Sequence, residues 1–123
     1  MSKPGLLIAV IDDDDSFRVA MEGLLRSMGY RTLAFSSAET FLASPEGERA
    51  DCILSDIQMP GMSGIELKQR LDEQHRRAPV IMVTARTEPT IRQQAIESGA
   101  ACLLRKPFEM QTLVDCLGRV LLH

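Results

Sequence analysis

The 123-residue sequence predicts an α/β domain, an open, doubly wound sheet of five parallel strands with helices on both faces. Three observations carry that prediction. Apolar runs of strand length alternate five times with segments whose apolar residues recur at helical spacing. The strongest runs are apolar throughout, as strands covered on both faces are. Charged residues also follow three of the runs: Asp12-Asp13-Asp14-Asp15, Asp56, and Arg105-Lys106.

The elements follow in order. Leu6-Leu7-Ile8-Ala9-Val10-Ile11 is the first strand. Phe17, Met21, Leu24, Leu25 and Met28 then mark a helix stopped by Gly29, with Asp14 or Asp15 as its N-cap. Residues 31–35 form a weaker, edge-like strand. Ser36 with Glu39 reads as a capping box opening a short helix through Phe41 and Leu42, and 44–49 reads as loop. The third strand, Cys52 to Ser55, delivers Asp56 to a glycine-rich turn. Ser63 with Glu66 is a second capping box, for a helix burying Ile65, Leu67 and Leu71, with 72–77 its solvated end. Pro79 to Val83 is the fourth strand, ending at Thr84; Pro89 suits the first turn of a fourth helix that runs to Ser98-Gly99. Residues 101–104 form the fifth strand, and Met110, Leu113, Val114, Leu117, Val120 and Leu121 line a final amphipathic helix.

Composition narrows the class. Residues 1–123 are read as a single domain that buries roughly two-thirds of its unfolded surface. The 45% hydrophobic and 25% charged content is ordinary for a soluble protein, and the net charge of −3 offers no footprint for nucleic acid. The first apolar run is too short for a signal core or membrane span, so a cytoplasmic location is expected. Cys52, Cys102 and Cys116 lack metal-ligand spacing and read as reduced, half-buried thiols. His75 and His123 are isolated and carry no assigned role.

Connections this short are right-handed, which puts every strand's C-terminal end on one edge of the sheet. With the first strand central, Asp12, Asp13, Asp56, Thr84 and Lys106 converge on one cleft at the switch point. Like charges about 4 Å apart repel by about 4 kcal/mol at an effective dielectric near 20, so a fold keeps such a cluster only if a cation neutralises it or pKa values shift. Oxygen donors select a hard ion, and few carboxylates plus water suit Mg²⁺. A carboxylate, Mg²⁺, a lysine and a hydroxyl around one cavity form a phosphoryl-transfer constellation with an aspartate as acceptor.

These pieces carry a resemblance. Val10-Ile11-Asp12-Asp13 followed by Arg18, Asp56 followed by Met59-Pro60-Gly61-Met62-Ser63-Gly64, Val83-Thr84-Ala85, Gly99-Ala100 and Lys106-Pro107-Phe108 stand in a highly specific order and spacing. Over essentially its whole length the chain resembles a response-regulator receiver domain of two-component signalling, CheY-like, with a FixJ-type flavour in its last pieces. The resemblance implies a flavodoxin-like (βα)5 fold with strand order 2-1-3-4-5. It implies that Asp56 accepts a phosphoryl group from a sensor histidine kinase or phosphotransfer protein. Asp13, Asp56 and the Gln58 backbone carbonyl would ligate Mg²⁺, with Asp12 acting through coordinated water. Lys106 would contact a phosphoryl oxygen, Thr84 would swing toward it, and the small Ala85 would leave access. The Lys106-Pro107 bond would be cis. The shift would be read on the surface of the fourth helix, fifth strand and fifth helix, where a homodimer could also form. Nucleic acid would be reached only through an output domain absent from this chain, which would be either a stand-alone receiver or the N-terminal part of a longer regulator. One position departs from the pattern: three before Lys106, where the family usually has Tyr or Phe, stands Leu103, which puts an aromatic switch in question.

Two other classes compete. Asp12-x-Asp14-x-Ser16 superficially resembles the nucleophile motif of haloacid-dehalogenase-type phosphatases, which would make Asp12 the nucleophile; only Glu109 and Asp115 follow Lys106 as the acids that chemistry would need. A pure interaction module of the same fold would lack the intact acidic and lysine set. No G-x-G-x-x-G follows the first strand to support a nucleotide cofactor.

Overall fold

The computed structural model describes residues 5–121. Its elements are β1 (Leu7–Ile11), α1 (Asp15–Ser27), β2 (Arg31–Phe35), α2 (Ala38–Ala43), a 3-10 turn (Glu46–Arg49), β3 (Cys52–Asp56), α3 (Gly64–Glu73), β4 (Val80–Thr84), α4 (Pro89–Glu97), β5 (Cys102–Arg105) and α5 (Met110–Leu121). The five strands are all parallel, in the order β2-β1-β3-β4-β5. This is the α/β, flavodoxin-like arrangement that the sequence predicts.

Alternation along the central strands splits the core into two layers. Ile8, Val10, Cys52, Leu54, Ile81 and Val83 face one side, where Met21 and Leu25 of α1 and Leu113 and Leu117 of α5 cover them. Ala9, Ile11, Ile53, Val80 and Met82 face the other, against Phe41 of α2, Leu67 and Leu71 of α3, and Ala95 of α4. Every residue of β1, β3 and β4 is buried, which is why those runs carry no polar alternation. At β2 and β5, the two edges, burial is patchy.

Capping decides where the helices begin. Asp14 caps α1, accepting from the Ser16 and Phe17 amides. The Ser63–Glu66 capping box is formed in both directions, with bonds of 3.1 and 3.0 Å, and Pro89 opens α4. The first expected box is not there. Ser37 rather than Ser36 caps α2, accepting from the Thr40 amide, and Glu39 instead accepts from the Met62 amide at 3.0 Å. That contact ties α2 to the turn after Asp56, a long-range partner that local spacing does not reveal. The expected loop at 44–49 contains the 3-10 turn, and Gly47 packs there against Phe41.

The cysteines also depart from expectation. Cys102 and Cys116, 14 positions apart, are brought together as a sulfur–sulfur pair across β5 and α5, with Cα atoms 6.4 Å apart. Cys52 alone is free; burial pushes its thiol up to about 12. His123 lies outside the described residues. Among the described residues no helix is long and apolar enough to cross a membrane.

Candidate functional site

β1, β3 and β4 end side by side, in register Ile11↔Ser55 and Asp56↔Val83, so the residues at or just past their C-terminal ends share one edge. Asp12 and Asp13 follow β1, Asp56 closes β3, Thr84 closes β4, and Lys106 follows β5. The backbone holds them there. The Asp12 amide donates to the Phe35 carbonyl, the Ile57 amide to Val83, and the Lys106 amide to Thr84 at 2.8 Å. Arg18 of α1 donates to the Asp12 carbonyl at 2.7 Å. The Lys106-Pro107 bond is cis.

All five residues of the expected cleft are brought together. Asp12 is fully buried, and both its oxygens are engaged: Oδ2 accepts from Lys106 Nζ at 2.8 Å and Oδ1 from the Asp14 amide at 2.9 Å. Asp56 is 9% exposed; its Oδ2 lies 3.4 Å from Lys106 Nζ, and its Oδ1 accepts from the Gln58 amide at 3.3 Å. Asp13 is exposed at the mouth, and one oxygen from each of Asp12, Asp13 and Asp56 fall within 4.8 Å of one another. Ala85 is exposed beside them.

The electrostatics follow from that crowding. Burial pushes the Asp56 carboxyl above the usual carboxylate range; the Asp12 charge adds to this and Lys106 opposes it. For Lys106, burial works against the charge. The hydrogen bond to Asp12 and the charges of Asp56 and Asp12 outweigh it, so its pKa is raised. One ammonium therefore bridges two carboxylates and leaves a surplus of negative charge facing solvent.

The donor set fits a hard divalent cation: three carboxylates of three-dimensional proximity, all oxygen, with one of them at the open mouth. Asp12, Asp13 and Asp56 each bring one oxygen to the place where it could be held.

Some features of the site escape a reading of motifs. Phe17, assigned only to the core, lies under Lys106 with its ring centroid 4.0 Å from Nζ, and Phe108 packs edge-on against that ring. The Gln58 side chain, expected to contribute only its backbone, accepts a 2.8 Å hydrogen bond from the Thr84 hydroxyl. Leu103 sits on β5 on the side of the sheet that carries α4, partly buried against Met82, its β4 partner, and its layer.

Known proteins share this arrangement. The FixJ transcriptional regulatory protein of Bradyrhizobium diazoefficiens is 37% identical over 102 residues, 83% of this chain and 50% of that protein. Chemotaxis protein CheY4 of Vibrio cholerae superposes with a TM-score of 0.84 at 33% identity, covering 95% of this chain and 99% of that one. The receiver domain of sensor histidine kinase PA1611 from Pseudomonas aeruginosa, whose structure has a magnesium ion in its active-site cleft, superposes at 0.84 with 29% identity over 94% of this chain and 97% of that one. The chain spans between 25% and 53% of the length of the first curated relatives it matches. The family model for the response regulator receiver domain matches residues 8–117. With that match across the sheet and every residue of the acidic edge, the chain belongs to the response regulator receiver domain family.

Proposed function

We propose that Asp56 is the phosphoryl acceptor of this receiver domain, working with Mg²⁺ and Lys106 in a two-component signalling system. One observation carries the reading. Asp56 keeps part of its side chain open and is held only by long contacts of 3.3 and 3.4 Å, while Asp12 is fully buried and held at 2.8 and 2.9 Å. That same contrast disfavours a phosphatase with Asp12 as nucleophile.

In the transfer, an Asp56 oxygen attacks phosphorus, and the phosphorus–nitrogen bond of a kinase phosphohistidine breaks. The electron pair leaves on the imidazole, and an acyl phosphate remains on Asp56. Lys106 Nζ, already 3.4 Å from Asp56 Oδ2, donates to a phosphoryl oxygen. Asp13, Asp56 and the Gln58 backbone carbonyl would hold Mg²⁺, and Asp12 would act through a coordinated water. When bound, the ion offsets the carboxylate repulsion and the charge on the transferred oxygens. The chain itself thereby promotes both its phosphorylation and the later hydrolysis.

Phosphorylation adds roughly −1.5 to −2 charges at the cleft. Thr84 turns toward them, and the surface of α4, β5 and α5 reports the change, by recruiting a partner or a second copy of the chain. Driving a two-state equilibrium from mostly off to mostly on takes about 5.5 kcal/mol of differential interaction. Residues 1–123 act as one receiver domain in the cytoplasm, and any contact with nucleic acid runs through an output domain outside this chain.

Treatment with acetyl phosphate and Mg²⁺ followed by peptide mapping tests the assignment. Modification at Asp56 is the expected result. Modification at Asp12 would instead establish the phosphatase chemistry, and no Mg²⁺-dependent modification would leave an interaction module.

A further inference from the structure

The Thr84 hydroxyl is committed on both sides. It donates to Gln58 Oε1 at 2.8 Å and accepts from the Arg86 amide at 3.0 Å. A hydroxyl has one proton to donate, so Gln58 Oε1 and any oxygen arriving at Asp56 compete for it. The other end of the same amide is unsatisfied: Gln58 Nε2 is buried with no hydrogen-bond partner among the described residues. Buried polar atoms in this state are uncommon, and they favour any rearrangement that supplies a partner. Gln58 also lines an open groove of ≈500 Å³ between α3 and α4, together with Met59, Ile65 of α3, and Ile91 and Gln94 of α4. α4, which forms one wall of it, is lightly seated. Ala95 is its one buried residue, and Ile96 is 54% exposed.

We propose that Gln58 is a positioning residue that latches the Thr84 hydroxyl away from Asp56 and, when the latch opens, turns its amide into the groove against α4. With the proton gone to a phosphoryl oxygen, both ends of the Gln58 amide lack partners where it stands, and Gln94 across the groove offers an amide of its own. The state of Asp56 thus reaches α4 through a side chain, not only through the β4–α4 backbone. The latch is a property of the resting chain; its trigger rests on the acceptor role of Asp56 proposed above.

The latch is tested without metal or phosphate, on the whole chain, by three-bond couplings that report the χ1 rotamer of Thr84. The wild type should show one dominant rotamer. Gln58→Leu keeps the bulk and removes the acceptor, and should shift the rotamer ratio by about fivefold, the effect of one ordinary hydrogen bond. Gln58→Glu restores an acceptor oxygen and should restore the single rotamer. Thr84→Val removes the donor and keeps the shape, and should shift the Gln58 side-chain carbonyl carbon resonance, whose oxygen loses its bond. Unchanged rotamers in Gln58→Leu, or an unchanged Gln58 side-chain carbonyl shift in Thr84→Val, would overturn the latch. Acetyl phosphate with Mg²⁺ then tests the trigger. The Ile91 and Gln94 amide shifts, scaled to the modified fraction, should shrink in Gln58→Leu. Equal shifts at equal Asp56 modification refute the path through Gln58, whereas failure of wild-type Asp56 to be modified refutes the acceptor role and leaves the rotamer result to judge the latch.

Discussion

Lys106→Met removes the one cation among the described residues that bridges the buried carboxylates, while keeping an unbranched stem of similar length. Coulomb attraction at an effective dielectric of 20 amounts to about 6 kcal/mol at the 2.8 Å contact with Asp12 and about 5 kcal/mol at the 3.4 Å contact with Asp56. These gross figures overstate the loss, because desolvation of the ammonium is recovered at the same time. A ceiling also exists. A carboxyl that cannot stay ionised takes up a proton, and from an ordinary aspartate value of 3.8 that costs about 4 kcal/mol at pH 7. A net loss of about 3 kcal/mol is therefore expected, a large part of the ~5–15 kcal/mol that holds a domain together.

The sign with pH follows from linkage. Without Lys106 the raised Asp56 pKa rises further, so the native state binds more protons than the unfolded one toward neutral pH. The deficit should be greatest near pH 7 and narrow, by up to about 1.4 kcal/mol per pH unit, as pH falls toward the unfolded carboxyl value. In the wild type the raised Lys106 pKa works in its own window: its contribution is complete below 10.5 and is lost as pH rises through the folded value. Urea unfolding of both proteins at pH 7.5 and pH 4.5, without metal, measures the difference. A deficit under about 1 kcal/mol at pH 7.5 that does not narrow at pH 4.5 would refute the coupled cluster.

The remaining expectations concern neighbouring residues. Asp56→Asn should abolish Mg²⁺-dependent modification by acetyl phosphate. It should also raise Tm at neutral pH, because the raised Asp56 pKa marks a charge the fold disfavours. The gain should close as pH falls below 3.8, and a loss of Tm at pH 7 would contradict the electrostatic account. Thr84→Ala should weaken the movement of α4 amide shifts per modified molecule, and NMR perturbations equal to those of the wild type would count against a role in the switch. Gly64→Ala should destabilise by about 2 kcal/mol. Its Cβ would press on the Asp56 carbonyl oxygen and come within 3.1 Å of Ile57 Cα, both rigid backbone. Chemical denaturation showing no loss would mean that the turn yields more readily than its bonds suggest.

Much of this molecule is legible in one dimension because its signals are local or topological. Apolar runs such as Leu54 and Ile53 mark strands buried on both faces, and the Ser63–Glu66 spacing opens a helix wherever it can close its own bonds. The right-handed crossover then sends Asp12, Asp56, Thr84 and Lys106 to one edge without any knowledge of packing. What depends on partners distant in the chain is not legible that way. Glu39 looked like a cap and serves the turn at Met62, and Phe17 looked like core and underlies Lys106. Cys102 and Cys116 showed no spacing that would pair them.

The sequence by itself determined the strand and helix count, the shared edge and the identity of the acids, lysine and threonine there. Period, capping and handedness are properties of short segments. Only the tertiary structure decided how those groups divide the work: Asp12 sealed and paired, Asp56 buried yet partly open, Thr84 held by Gln58. Burial and the direction of a hydrogen bond depend on which side chains the other elements bring within about 3 Å, and no local pattern encodes that distance.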